Sequence, residues 1–175
     1  MAEKNRPLVM VVDDNKITVK LVSRYLYYNG YQAVYALDGV DCLEKLNQLY
    51  NDGIVVDCLV SDTMMPKMDG YELVDNIRHD NNLQNIGIIV ITSLKDVENQ
   101  MKVITAGADL PLAKPIEGVL LIAQVKVAIA MSDTRRIEAL INGSEELIAT
   151  EKLMAIINKT PYNLPEAWLG WKIEI

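Results

Sequence analysis

The sequence predicts an α/β chain: a doubly wound (βα)₅ parallel sheet of five strands, followed by a C-terminal helical extension. Three observations predict it. Short apolar runs with no polar face, such as residues 8–12 and 86–91, read as strands covered on both sides, as parallel sheets require. Helically spaced apolar residues separate these runs, and the connections are short enough for right-handed crossovers. Half of the 175 residues are apolar but only 6% are aromatic, none of them Phe, which suits an aliphatic core and argues against disorder.

The first strand, residues 8–12, is bounded by Pro7 and by Asp13-Asp14-Asn15. A helical stripe follows at Ile17, Leu21, Val22, Tyr25 and Leu26, and Asn29-Gly30 stops it. Residues 32–36 form the second strand. Asp38 is expected to cap a helix carrying Val40, Leu43, Leu46 and Leu49, which ends near Asn51-Asp52-Gly53. The third strand spans residues 57–61, and a third helix carries Tyr71, Leu73, Val74 and Ile77. The fourth strand, residues 86–91, is rich in β-branched residues. Asp96 is expected to cap a fourth helix through Val97, Met101 and Ile104, closed by Ala106-Gly107. A short strand at 109–113 leads to Lys114-Pro115, and a fifth helix covers about residues 117–131. From Val119 to Met131 only Gln124 and Lys126 interrupt its apolar character. A helix on a sheet needs one apolar stripe, so its outer side is expected to be covered by the tail or by a second subunit.

Residues 1–132 thus make one α/β domain and residues 133–175 a helical extension. Within the extension, Ile137, Leu140 and Ile141 form a short stripe ended by Asn142-Gly143. Ser144 can cap a further helix carrying Leu147, Ile148, Leu153, Ile156 and Ile157, and Pro161 and Pro165 break the chain before Trp168 and Trp171. The 43 residues of the extension are too few for a core of their own, so they pack on the body or on a partner, or begin an output module cut short. Both tryptophans are expected to anchor the tail to an apolar surface.

Net charge is −7, which disfavours nonspecific attraction to nucleic acid or to an anionic membrane surface. The extension holds seven acids and five bases and no basic recognition helix, so a DNA-binding output is disfavoured. No run of about 18 apolar residues exists to span a membrane, and the N-terminus shows no signal-peptide core. Cys42 and Cys58 lack metal-ligand spacing and read as packing residues of a reduced, cytoplasmic protein. His79, the one histidine, falls at a surface helix end.

Chemistry is expected where the C-terminal ends of neighbouring strands converge. The first strand ends in Asp13-Asp14, the third in Asp62, the fourth in Thr92-Ser93 and the fifth in Lys114. After Asp62, Pro66 prevents the strand from continuing and Asp69-Gly70 supplies turn chemistry before the third helix. Three converging carboxylates repel one another unless a cation holds them charged. An all-oxygen ligand set without His or Cys points to Mg²⁺. A lysine and a hydroxyl beside it suit an incoming phosphoryl group, and an Asp can be the nucleophile that accepts it. Each element alone is commonplace: Asp-Asp after a strand is often a helix cap, and a lysine before proline is often solvated. Their placement at four separate strand ends carries the reading.

Those residues resemble the receiver domain of two-component response regulators over roughly residues 6–131. The likeness rests on Val11 to Asn15, Leu59 to Gly70, Ile89 to Ser93, and Ala106 to Asp109 leading to Ala113-Lys114-Pro115, with spacings of 30 from Asp62 to Thr92 and 22 from Thr92 to Lys114. It implies a flavodoxin-like receiver fold in which Asp62 accepts a phosphoryl group from a sensor histidine kinase or phosphotransfer protein. Mg²⁺ would bind Asp14 directly and Asp13 mainly through water, with Asp62 and the backbone carbonyl of Met64 as further ligands. Thr92 and Lys114 would couple the phosphoryl group to the fourth and fifth βα units. The resemblance implies a signalling protein, not an enzyme beyond its own phosphoryl transfer and dephosphorylation. The fifth helix and tail would then switch dimerisation or another protein contact. One departure stands out: Pro111 occupies the position where the family usually carries Tyr or Phe, so a relay through that ring cannot operate.

Other functions fit less well. Residues 148–154 and 166–168 faintly resemble the three-helix output module of RNA-binding antiterminators, but with longer spacing and a poor acid/base balance. A flavodoxin-like FMN protein would need a Gly/Ser/Thr phosphate cradle where this chain has Asp13-Asp14-Asn15-Lys16. A stand-alone hydrolase would need a general base for water, and none is visible.

Overall fold

A computed structural model of the chain describes residues 6–93, 97–142 and 170–173. Its elements are β1 (Leu8–Val12), α1 (Lys16–Tyr28), β2 (Gln32–Ala36), α2 (Gly39–Asn51), β3 (Cys58–Asp62), α3 (Gly70–Arg78), β4 (Gly87–Thr92), α4 (Val97–Thr105), β5 (Leu110–Ala113) and α5 (Gly118–Ile141). The five strands form one parallel sheet in the order β2-β1-β3-β4-β5. The expected fold class stands, and β3, β4 and β5 each begin one residue later than their apolar runs predict.

Alternation along the central strands divides the core in two. Leu8, Met10 and Val12 of β1, with Leu59, Ile88 and Val90, face a layer containing Cys42, Leu46, Leu49, Leu73, Val74, Ile77 and Val103 from α2, α3 and α4. Val9 and Val11, with Val60, Ile89 and Ile91, face Val19, Val22 and Leu26 of α1 and Leu121, Val125 and Ala128 of α5. Both faces of β1, β3 and β4 are therefore dry, which explains runs without a polar position. The helices start where side chains cap them: Asn15 accepts from Ile17, Asp38 from Asp41 and Asp69 from Glu72.

Two helical stripes differ from expectation. In α1 the buried residues are Val19, Val22, Ser23 and Leu26, while Ile17 is 79% exposed and Leu21 is exposed too. In α4 Val103 is buried, whereas Val97, Met101 and Ile104 face outward. Both stripes contain a competing apolar residue one or two places along, and the strand beneath selects it. Asp96 lies outside the described residues.

The fifth helix is longer than its apolar run. It continues through Ser132-Asp133 for 24 residues, so Ile137, Leu140 and Ile141 are its last turns and not a separate helix. Long-range partners hold this extension down. Arg135 makes a bidentate pair with Asp109, at 2.8 and 2.9 Å. Arg136 is buried and donates to the Val56 carbonyl at 2.9 Å, with Asp57 3.8 Å away. Gly87 lets α5 cross β4 closely, because a Cβ there would meet the carbonyl oxygen of Ala128. The outer side of α5 is uncovered by the described residues: Val119 is 88% exposed, and Val127, Met131, Leu140 and Ile141 are exposed as well.

Residues 143–169, with Ser144 and Trp168, lie outside the described residues. The end of the chain returns to the body. The Tyr35 amide donates to the Trp171 carbonyl at 2.9 Å, on the free side of the edge strand β2. Trp171 packs on one core layer and Ile173 on the other, and the Lys45 ammonium sits 4.9 Å from the Trp171 ring. Cys42 and Cys58 are buried free thiols whose burial pushes both well above the usual thiol range. His79 is exposed at the end of α3. No described helix is long and apolar enough to cross a membrane.

Candidate functional site

The site forms because parallel strands all point their C-terminal ends the same way. β1 delivers Asp13 and Asp14 immediately after Val12. The Asp13 amide continues the pairing to the Ala36 carbonyl at 3.2 Å, and its Oδ1 accepts from the Asn15 amide at 2.9 Å. Asn15 in turn caps α1, so one short turn both starts the helix and fixes Asp13. Asp62 is the last residue of β3 and is buried. Past Asp62 the chain turns sharply, and the Gly70 amide donates back to Thr63 O at 2.8 Å. A Cβ on Gly70 would collide with the Asp62 carbonyl oxygen, so only glycine lets α3 begin this close to the strand tip.

Thr92 ends β4 and is buried, and its carbonyl accepts from the Lys114 amide at 2.9 Å. Lys114 follows β5, ahead of a cis peptide to Pro115. Its ammonium lies 3.1 Å from Oδ1 of Asp62. Carboxylate oxygens of Asp13, Asp14 and Asp62 lie within 4.8 Å of one another; Asp13 and Asp62 are buried and Asp14 is exposed. Met64 stands in the loop after β3 with its side chain exposed. The structure therefore gathers Asp13, Asp14, Asp62 and Lys114 at one edge of the sheet, with Thr92 at the adjoining strand end.

Electrostatics mark the same place. The Asp13 carboxyl is raised to about 6, by burial foremost and then by the charges of Asp62 and Asp14, against the Asn15 amide and Lys114, which lower it. Its Oδ2 is buried without a hydrogen-bond partner. An unpartnered carboxylate oxygen beside two more carboxylates is the coordination a hard divalent cation completes, so these residues fit Mg²⁺. One lysine offsets only one of three negative charges.

Sequence patterns gave less warning of Gly70, Thr63 and Asn15. Gly70 reads as turn chemistry, whereas its place is under the Asp62 carbonyl. Thr63 is buried with its hydroxyl 3.4 Å from the Ile91 carbonyl, joining β3 to β4 beside Asp62. Its position directly after Asp62 is the sequence signal that Thr63 carries.

Comparison with known proteins gives the same picture. The family model described as "Response regulator receiver domain" matches residues 9–126. Hybrid signal transduction histidine kinase D of Dictyostelium discoideum is 33% identical over 136 residues, which are 75% of this chain and 8% of that protein. The DNA-binding dual master transcriptional regulator RpaA of Synechocystis is 27% identical over 174 residues, 97% of this chain and 65% of that protein. This chain thus spans less than two thirds of either relative. Among solved structures, the CheX-CheY-BeF3-Mg²⁺ complex from Borrelia burgdorferi matches with a TM-score of 0.62 and 27% identity, covering 69% of this chain and 87% of that one.

Proposed function

Because the chain belongs to the response regulator receiver domain family, we propose that it is a phosphorylation-controlled signalling switch whose phosphoacceptor is Asp62. The observation that supports this most is the convergence of Asp13, Asp14 and Asp62 with Lys114 at 3.1 Å from the Asp62 carboxylate. A sensor histidine kinase or phosphotransfer protein would be the donor, in keeping with the hybrid kinase relative. In the transfer, an Asp62 oxygen attacks phosphorus, the phosphorus–nitrogen bond to the donor histidine breaks, and that nitrogen keeps the electron pair. Asp13, Asp14, Asp62 and the Met64 carbonyl would hold Mg²⁺, which when bound supplies charge neutralisation for the carboxylates and the phosphoryl oxygens. Lys114 holds the acceptor carboxylate in place and is positioned to follow the arriving negative charge. Thr92, tied to Lys114 through the backbone, would donate a hydrogen bond from its hydroxyl to a phosphoryl oxygen.

The protein would turn over no other substrate; its phosphorylation and dephosphorylation are its own. Output would leave through α5 and the tail, as dimerisation or another protein contact. Pro111 replaces the usual aromatic, but its carbonyl accepts from Gln124 of α5 at 2.9 Å. That bond gives a movement of Lys114 and β5 a direct path to α5. The RNA-binding alternative rests on residues 148–154 and 166–168, which lie outside the described residues, and the comparisons lend it no support.

Incubation with Mg²⁺ and acetyl phosphate, read by intact mass, tests the assignment. The wild type should gain one phosphoryl group, and beryllofluoride with Mg²⁺ should perturb the amides of Asp13, Asp62 and Lys114. Asp62→Asn should do neither; equal responses from the two proteins would remove the phosphoacceptor reading.

A further inference from the structure

At the opposite end of the sheet lies a cavity of about 410 Å³, walled by the end of α1, the start of β2, the segment before β1 and the end of the chain. The five-residue strands β1 and β2, each roughly 16 Å long, separate it from the acidic site. Among the described residues two cations line it, Arg6 and Lys172, and no carboxylate does. Neither cation has an ion-pair partner among the described residues. The Arg6 guanidinium lies 5.3 Å from the Tyr27 ring centroid, stacked on an aromatic face and not neutralised by an acid.

Ser23 of α1 lies in the inner wall, its hydroxyl buried beneath the cavity surface. Tyr27 and Tyr28 meet edge to face at 5.4 Å and present ring surface. Burial, and then the Cys58 thiol, push the Tyr31 phenol up, so it stays a neutral O–H donor. The volume lies within the range that takes small organic ligands and exceeds what a simple anion fills.

We propose that this cavity binds a mononucleotide-sized aromatic anion, its charged group held by Arg6 and Lys172 and its ring against the tyrosines. The chain end contributes Lys172 and Ile173 to the wall, and the Tyr35–Trp171 hydrogen bond seats them. The site is complete only with the terminus docked, so ligand and docking favour each other.

Calorimetric titration of the full chain with AMP, without Mg²⁺, tests this. AMP should bind, and adenosine and inorganic phosphate should each bind at least about tenfold more weakly, since each lacks half of the recognised chemistry. Arg6→Gln and Lys172→Gln should each weaken AMP by about tenfold to a hundredfold, the loss of a charge-assisted hydrogen bond. Both variants should still respond to beryllofluoride with Mg²⁺. Amide shifts on AMP addition should fall on Ser23, Tyr31, Ala33 and Lys172. Absence of AMP binding, phosphate binding as tight as AMP, unchanged affinity in both variants, or shifts centred on Asp13 and Asp62 would each overturn the proposal.

Discussion

At Asp13 a carboxylate is held in the interior with one oxygen, Oδ2, unpartnered and two other carboxylates close by. Its folded value of about 6 lies above the ordinary 3.8. The folded protein therefore holds a proton there that the unfolded chain has released, and metal-free stability should fall as pH rises from about 4 through about 6. Asp38 works the other way: the Asp41 amide foremost, and Lys67, lower its carboxyl, so its contribution is lost as pH falls through the acid range. The effect of Asp13 is cleanest between about pH 5 and 7. Thermal midpoints without metal should be higher at pH 5 than at pH 7, and Mg²⁺ should reverse that order. Asp13→Asn should stabilise the metal-free protein by about 1–2 kcal/mol at pH 7, part of the roughly 3 kcal/mol that a two-unit shift represents, while abolishing stabilisation by Mg²⁺. A destabilised, still Mg²⁺-responsive Asp13→Asn would show that the charge is not the cost. The site acids themselves were legible in the sequence because each ends an apolar run. The stress on Asp13 was not, since it arises from burial foremost and from Asp62, about 50 positions away.

Elements were legible where local chemistry decides them and misread where a distant partner does. β1, β3 and β4 have no polar face to place, and the cap Asp38 acts within one turn, so both appear in the sequence. The register of α1 was hidden by Ser23, a polar residue on the buried stripe whose surroundings include the cavity beside β2. The continuation of α5 was hidden by the polar Ser132-Asp133, and it rests on Arg135 and Arg136. In the fold they reach Asp109 and the Val56 carbonyl, 26 and 80 positions away. Arg136→Ala should therefore cost about 2–3 kcal/mol in urea unfolding, because a charged hydrogen bond and the satisfaction of a buried carbonyl go together. An exposed α5 arginine would give less than about 0.5 kcal/mol, and that result would mean the last turns are not docked. The edge of β2 offers a second test. Removing residues 170–175 frees the Tyr35 amide, whose hydrogen exchange should accelerate while amides of β1 and β3 remain protected. Unchanged protection at Tyr35 would mean that the terminus is not its partner.

On the scale of the whole molecule, the sheet separates three jobs. Its C-terminal edge gathers the acids, and its N-terminal edge carries the clamps formed by Asp109 with Arg78 and Arg135. The outward sides of α4 and α5 keep apolar residues in contact with solvent. Strand order could not be read from the apolar runs of β1, β3 and β4, which look equally buried, yet that order is what puts β5 at an edge and α5 beside it. A 24-residue helix is about 36 Å long. Along it Val119, Val127, Met131 and Ile141 are exposed, an apolar stripe of the kind that contact surfaces use. Dimerisation through α5, the output proposed above, should then appear as concentration-dependent sedimentation that strengthens with Mg²⁺ and beryllofluoride. The double substitution Val127→Glu and Met131→Glu places two like charges on the stripe of each copy and so four across a symmetric interface. It should leave a monomer at concentrations where the wild type is dimeric, without altering occupancy of Asp62 by beryllofluoride. Because both positions are at least a third exposed, the folding stability of the monomer should change by less than about 1 kcal/mol, which separates lost association from lost structure. A wild type that stays monomeric with and without beryllofluoride would exclude the dimer and leave contact with a different protein as the output of this face.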